Sequence, residues 1–252
     1  MSLFFDLGDT LVDLRTLGPA MAEELRRRGV DPVVAREVGT EWITRTARAT
    51  AEAADRYVPG VGIAGAAVRD ALAVRGIDVP PAAAVRLATD SWTRYLRGAR
   101  FHADVTPALL REFRRRVARM GVVTDSDRAI VEPLLERLRI RELFDVIVVS
   151  ESVRAYKPNP RIFLAALGRG RPEDSLFVSN SRLDLEGAAA VGMRVVWVRR
   201  GRGPAGDRLA GAHVVRDLRQ LPRLLDRLAR RGPGPEAETP APRGKRGRRG
   251  GA

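Results

Sequence analysis

Leu3-Phe4-Phe5 is a short apolar run that ends at Asp6 and opens into a turn containing Gly8. A brief apolar run bounded by a turn reads as a buried strand, which assigns residues 2–7 to one. From about residue 15 to 98 the period changes. Apolar residues recur at helical spacing, Gly or Pro punctuates the ends, and the pattern predicts helices over 17–29, 32–54, 62–76 and 81–98 with no strand among them. From about residue 102 helix and strand alternate. Helices are predicted over 106–116, 127–138, 161–167, 182–191 and 218–230, and strands over 117–124, 144–150, 175–179, 194–198 and 213–215. That alternation predicts an α/β, Rossmann-like fold with a parallel sheet and helices on both faces. The helical block is then an insertion. The division expected is an α/β core of residues 1–14 and 99–231, an all-helical unit of 15–98, and a tail of 232–252 that is Gly-, Pro- and Arg-rich and reads as disordered.

Polar residues stand at the ends of the apolar runs. Asp6 ends the first, and burying a carboxylate without a partner would cost several kcal/mol. Thr124 follows Met120–Val123, Lys157 precedes Pro158, and Asp184 lies beyond Ser175–Ser179. Each has an ordinary explanation by itself. Asp6, Thr10 and Thr124 suit turns, a lysine before proline suits the surface, and Asp184 suits the N-cap of the next helix.

Taken in order, the four sites resemble the haloacid dehalogenase-like (HAD) superfamily over most of residues 2–220. The residues that carry the resemblance are Asp6 with Thr10, then Gly121-Val122-Val123-Thr124-Asp125, then Lys157-Pro158-Asn159-Pro160, and last Leu176-Phe177-Val178-Ser179 through Asp184-Leu185-Glu186-Gly187-Ala188. The resemblance implies a hydrolase whose helical insertion caps the carboxyl ends of the strands, where it can exclude water and select substrates. It implies that Asp6 is a nucleophile forming a covalent aspartyl intermediate, that Thr10 and Thr124 supply hydroxyl donors, and that Lys157 neutralises charge on Asp6 and on the transferred group. Asp184 would help hold Mg²⁺ or orient Lys157, with Asp6 and the Gly8 carbonyl as further ligands. Gly187 and Ala188 would let the following helix pack closely on the sheet.

The chain departs from the family pattern twice. Where the family's phosphatases carry a second Asp as general acid, this chain has Gly8, with Asp9 one place later. General acid–base help is typically worth about 10²–10⁴-fold, so turnover is expected to be slow unless Asp9, another residue or water supplies the proton. Where Mg²⁺-dependent members carry Gly-Asp after the fourth strand, this chain has Ser179-Asn180-Ser181, and the loss of a carboxylate weakens a site for a hard cation. Asp125 is a less favoured ligand and is assigned, with Gly8, Ser179 and Asn180, to the substrate surroundings. Neutral Ser and Asn there are similar to the metal-free 2-haloacid dehalogenases of the superfamily, as is Val153-Arg154-Ala155-Tyr156-Lys157-Pro158. Those enzymes have an aromatic residue in place of Gly8 and a Tyr in place of Phe163. They also need a cap Arg, for which Arg45 is a candidate. Three readings follow in order: a phosphatase acting on a small phosphate monoester with Mg²⁺, a dehalogenase-like hydrolase, and a binding module on the same fold.

Composition bounds these readings. At 252 residues the chain can bury a sizeable core. It has no stretch long and apolar enough to span a membrane, its first apolar run is too short for a secretory signal, and it has no cysteine. Cytoplasmic residence is the expectation these features suit. The formal charge is +14, which invites a nucleic-acid partner. That partner is set aside, because the arginines spread along every predicted helix with few aromatics among them, and because the run Arg243–Arg249 reads as part of a solvated tail. A small anionic substrate is the partner the basic surface favours. Of the 45 basic residues only Lys157 and Lys245 are lysines, so Lys157 marks a place that calls for a compact ammonium rather than a planar fork. The helical insertion offers Trp42, Tyr57, Trp92 and Tyr95 as pocket or core residues, core packing being favoured. The oligomeric state stays open, a homodimer included.

Overall fold

The computed structural model describes residues 1–201 and 209–230, so the predicted tail lies outside the described residues. Strand β1 (Ser2–Phe5) is followed by α1 (Leu17–Arg27), α2 (Pro32–Glu52), α3 (Gly60–Ala73) and α4 (Pro81–Gly98). Then come α5 (Pro107–Arg116), β2 (Arg119–Thr124), α6 (Arg128–Arg137), β3 (Val146–Val149), the single turn α7 (Ser150–Val153) and α8 (Pro160–Leu167). The described chain continues through β4 (Ser175–Ser179), α9 (Arg182–Ala190), β5 (Arg194–Val198), β6 (His213–Val215) and α10 (Leu221–Arg230). The strands form one sheet in the order β3-β2-β1-β4-β5-β6, each pair parallel. The α/β fold with a parallel sheet stands as the sequence pattern predicts.

Alternation along β1 builds two cores. Leu3 and Phe5 join one apolar cluster with Phe113, Val122 and Val178, while Phe4 joins the other with Val123, Phe163, Phe177 and Leu185. Both faces of the sheet are covered, which is why the strands read as continuous apolar runs. The first strand is shorter than predicted. Asp6 still donates its N–H to Val178 O at 2.9 Å, but the chain then turns, which frees its side chain from the ladder. The last helix also starts later than predicted. Residues 218–220 form a separate 3₁₀ turn, with the Asp217 carboxylate accepting the Arg219 N–H.

Local chemistry sets the helix starts. Asp31 accepts the N–H groups of Val33 and Val34, Thr106 that of Leu109, and Asn159 that of Arg161, each with Pro in the first helical turn. Helices α1–α4 pack chiefly on one another, and their buried residues merge with the cluster on one face of the sheet. A second contact with the sheet runs through the loop between α2 and α3. There the Tyr156 hydroxyl donates to Val58 O at 2.6 Å, and the Asp127 carboxylate accepts the N–H groups of Gly60 and Val61 at 3.3 and 2.9 Å. Among the described residues no helix is long and apolar enough to cross a membrane.

Gly187 is where α9 meets the loop carrying Lys157. A Cβ there would lie 2.7 Å from both Cβ and O of Pro158 and 2.8 Å from Cε2 of Phe163. Two of these are a backbone oxygen and a ring fixed in the core, so little can yield. Gly187→Ala is expected to lower stability by about 1–3 kcal/mol, as overpacked cores do, seen as a lower denaturant midpoint at unchanged slope. An unshifted midpoint would show that the loop gives way.

Candidate functional site

The carboxyl ends of β1, β2 and β4 meet the loop after α7 at one point. Lys157 Nζ lies 2.6 Å from Asp6 Oδ1 and 2.6 Å from Asp184 Oδ2. The three side chains are almost wholly buried. Asp125 Oδ2 stands 4.0 Å from the same ammonium, while its Oδ1 accepts from Ser150 Oγ and from the Lys157 N–H, both at 2.9 Å. Three carboxylates thus surround one cation.

This geometry explains the electrostatics. Burial raises the Asp6 carboxyl, with Lys157 pulling against it. Burial would also lower Lys157, but the charges of Asp184, Asp6 and Asp125 outweigh it and hold the ammonium charged. Asp125 is pushed up to about 6 by burial, which outweighs the pull of Lys157, with the Asp184 charge adding to the rise.

Hydroxyls brace the carboxylates from behind. Thr10 Oγ1 is fully buried and donates to Asp6 Oδ2 at 2.8 Å, so it holds Asp6 rather than facing the cleft. The same oxygen accepts the Asn180 N–H at 3.1 Å. Ser179 Oγ donates to Asp184 Oδ2 at 3.2 Å. Asp184 is not the N-cap of α9. That place belongs to Ser181, whose extended backbone lets its Oγ accept the Asp184 N–H. Thr124 differs from Thr10. Its hydroxyl oxygen accepts the Ser126 N–H at 3.3 Å, which leaves its own proton to donate toward the cleft it lines.

Three predicted site residues, Thr10, Ser179 and Arg45, lie outside the cleft lining, whereas Asp9 borders the cleft with one carboxylate oxygen tied back. The Asp9 carboxylate accepts the Leu14 N–H at 3.0 Å and lies 3.7 Å from His102 Nε2. Asp9, not Gly8, is the residue in the left-handed region, at φ 54°, a conformation Asp tolerates better than most side chains. Arg45 donates Nε to Glu41 Oε1 at 2.6 Å on the helix surface and is not among the residues lining the cleft, although Trp42, Ile43, Thr46 and Ala47 beside it are.

Above the carboxylates a cleft of about 820 Å³ opens between the sheet and α1–α4. Asp6, Gly8, Asp125, Lys157, Asn180 and Asp184 line it from the sheet side, and Trp42, Tyr57 and Trp92 from the insertion. Tyr95 packs in the core instead, with its hydroxyl on Asp13 O at 2.9 Å. Among the described residues, the compact trio of side chains of metal-binding type is Asp9, Asp13 and His102, with ligand atoms within 4.8 Å of one another. The bidentate partner of Asp13 is already Arg15.

Arg200, just past β5, was not singled out by the sequence. Its Nη1 and Nη2 donate to the carbonyls of Asp9 and Thr10, each at 2.7 Å, and its Nε to Asp104 Oδ1 at 2.8 Å. It thereby fixes the backbone of the loop that follows Asp6. One arginine among so many carried no contrast to find it by.

The haloacid dehalogenase-like hydrolase family model matches residues 102–198. A phosphoglycolate phosphatase of Pseudomonas putida is 29% identical over 87% of this chain and 77% of its own. A glyceraldehyde 3-phosphate phosphatase of Methanopyrus kandleri is 32% identical over 80% of this chain and 84% of its own. Among solved structures, L-2-haloacid dehalogenase from Xanthobacter autotrophicus superposes with a TM-score of 0.73 at 19% identity, over 89% of this chain and 98% of that one. The HAD-hydrolase YfnB from Bacillus subtilis, bound to magnesium, superposes with a TM-score of 0.77 at 16% identity over the same shares. At such identities the structures speak for the fold. The Methanopyrus sequence, matched along most of its length, speaks for descent: the chain belongs to the haloacid dehalogenase-like hydrolase family.

Proposed function

We propose that this hydrolase is a phosphatase that transfers the phosphoryl group of a small monoester to Asp6 and then to water, with Mg²⁺ as cofactor and α1–α4 as a cap. The observation that carries this reading is the charge balance at the rim, where Asp6, Asp125 and Asp184 face the single ammonium of Lys157. With all three ionised, two negative charges are left over in a place that must admit an anion. A divalent cation is the natural complement, and Asp6, the Gly8 carbonyl and Asp184 offer the hard oxygen donors Mg²⁺ prefers. When bound, the ion would offset charge on the phosphoryl oxygens. Relatives that match over 87% and 80% of this chain are named as phosphatases, and one that matches over 56% is named as an (S)-2-haloacid dehalogenase.

The chain's own groups then divide the work. An Asp6 oxygen attacks phosphorus, and the bond from phosphorus to the alcohol oxygen breaks. Thr10 holds the attacking carboxylate in place, and Lys157 balances the charge that moves off it. Thr124 donates its free proton as a hydrogen bond to a phosphoryl oxygen. The departing alkoxide takes a proton from water, because Gly8 has no acid and Asp9 is held by Leu14. Water then attacks phosphorus, giving up a proton that neutralises the hydroxide left by the first step; the bond to Asp6 breaks, and the carboxylate is restored.

One observation favours a second reading, displacement at carbon. The turn at Ser179–Asn180 is neutral, and a halide leaves without protonation, so neither missing carboxylate would be needed. Phosphate release from a monoester panel, lost on chelation, is expected under the first reading; chloride release from 2-haloacids, indifferent to a chelator, would replace it with the second. In either case Asp6→Asn should abolish turnover and keep the thermal transition, and full activity in that variant would reject Asp6 as nucleophile.

The missing acid gives a sharper expectation. The double variant Gly8→Asp, Asp9→Gly puts an acid where the alcohol leaves and a glycine where φ is positive. The new Cβ would meet only the flexible end of Leu14, at 2.9 Å. Turnover of alkyl phosphates should rise by about tenfold or more, while aryl phosphates, whose leaving groups need no proton, change little. Equal effects on both would argue that the proton is not limiting.

Asp125 adds a pH signature. Its pKa is raised in the fold, from 3.8 to about 6. It therefore contributes stability that is fully present below 3.8 and is lost as pH rises through about 6. Relative to Asp125→Asn, the wild type should lose stability between about pH 4 and pH 6.5, read from denaturant midpoints. Parallel curves would count against it.

A further inference from the structure

Two cations line the cleft among the described residues, and they are used differently. Lys157 is spent on Asp6 and Asp184. Arg154 is exposed and makes no ion pair with any carboxylate of the described residues. The carboxylates on that side are otherwise engaged: Asp127 with the N–H groups of Gly60 and Val61, and Glu151 with the Arg128 N–H. Arg154 is nevertheless held in place. Its guanidinium lies over the Tyr57 ring, 5.3 Å from the centroid, and Tyr57 stacks in turn on Tyr156 at 5.4 Å. Tyr156 is fixed by its hydroxyl bond to Val58.

The backbone makes the residue type informative. Arg154 closes α7 in the left-handed conformation, φ 51° and ψ 46°, which costs a side-chain-bearing residue about 1–2 kcal/mol and suits glycine. A position needed only to end a helical turn would be better served by glycine. Arg154 and Lys157 line the same cleft, and the three residues from one to the other span at most about 11 Å of chain.

We infer that Arg154 anchors a second anionic group of the substrate, so that the preferred substrates are phosphate monoesters that also carry a carboxylate. The planar guanidinium can give a carboxylate two parallel N–H bonds, and the aromatic stack beneath it spares the ligand the cost of ordering it. This inference rests on the cleft being the substrate site, as proposed above.

Two non-hydrolysable probes of similar size test it by calorimetry on the full chain with Mg²⁺ present: phosphonoacetate, with a carboxylate, and ethylphosphonate, without one. The wild type is expected to bind phosphonoacetate about tenfold or more tightly. Arg154→Gln and Arg154→Gly should both erase that preference while ethylphosphonate binding shifts by less than about threefold, and Arg154→Lys should restore part of it. Glycine suits the backbone there, so the loss cannot be laid to misfolding. No preference in the wild type, a preference that survives in both neutral variants, or no binding of either probe overturns the inference. Phosphate release is scored separately. Release without preference retires Arg154 and keeps the phosphatase, whereas Arg154-dependent preference without release does the reverse.

Discussion

The ammonium of Lys157, shared by Asp6 and Asp184, is the contact on which the rest of the site depends. It joins the first strand to the fourth through a residue 151 positions away in sequence. Taking these charges out of water is costly, and their mutual attraction offsets that cost only because each ion also has hydrogen-bond partners. Thr10 and Ser179 supply them. Removing the lysine would leave Asp6 and Asp184 buried without a cation. The tight fit of Gly187 against Pro158 serves the same contact by holding the lysine loop against α9.

The charge pattern of the whole molecule reverses at the cleft. A chain of net charge +14 gathers carboxylates at the strand ends, where Arg154 makes no ion pair among the described residues. A net positive charge can draw anions toward the protein, whereas the cleft floor itself is rich in carboxylates. The insertion forms the opposite wall, where Trp42, Tyr57 and Trp92 stand among Thr46, Thr50, Thr89 and Thr93, so that a charged floor faces an aromatic and hydroxyl-bearing roof.

Much of the architecture was legible in the sequence because hydrophobic period is a local signal. The strands over 175–179, 194–198 and 213–215 were readable to the residue, since each is an apolar run flanked by breakers. Asp6, Thr124, Lys157 and Asp184 stood out as polar residues at the ends of such runs, and Lys157 further as a lysine among arginines. Partners set by the folded chain were not legible. The burial of Thr10 beneath Asp6 depends on Asn180, 170 residues away. The positive φ of Asp9, the capping of α9 by Ser181 and the pairing of Arg45 with Glu41 depend on backbone paths and helix faces that composition does not reveal. Arg200 and Arg154 were hidden by abundance, because only their surroundings distinguish them from the other arginines.

The placement of the three tryptophans has an optical consequence. Trp42 and Trp92 form part of the cleft wall, and the Trp197 indole donates to the Asn180 carbonyl at 3.1 Å, immediately behind Thr10. Two of the three indoles therefore border the cleft, and the third is one hydrogen bond removed from Asn180, which lines it. A molecule entering the cleft would change the surroundings of Trp42 and Trp92, so that tryptophan emission offers a label-free readout of its occupancy.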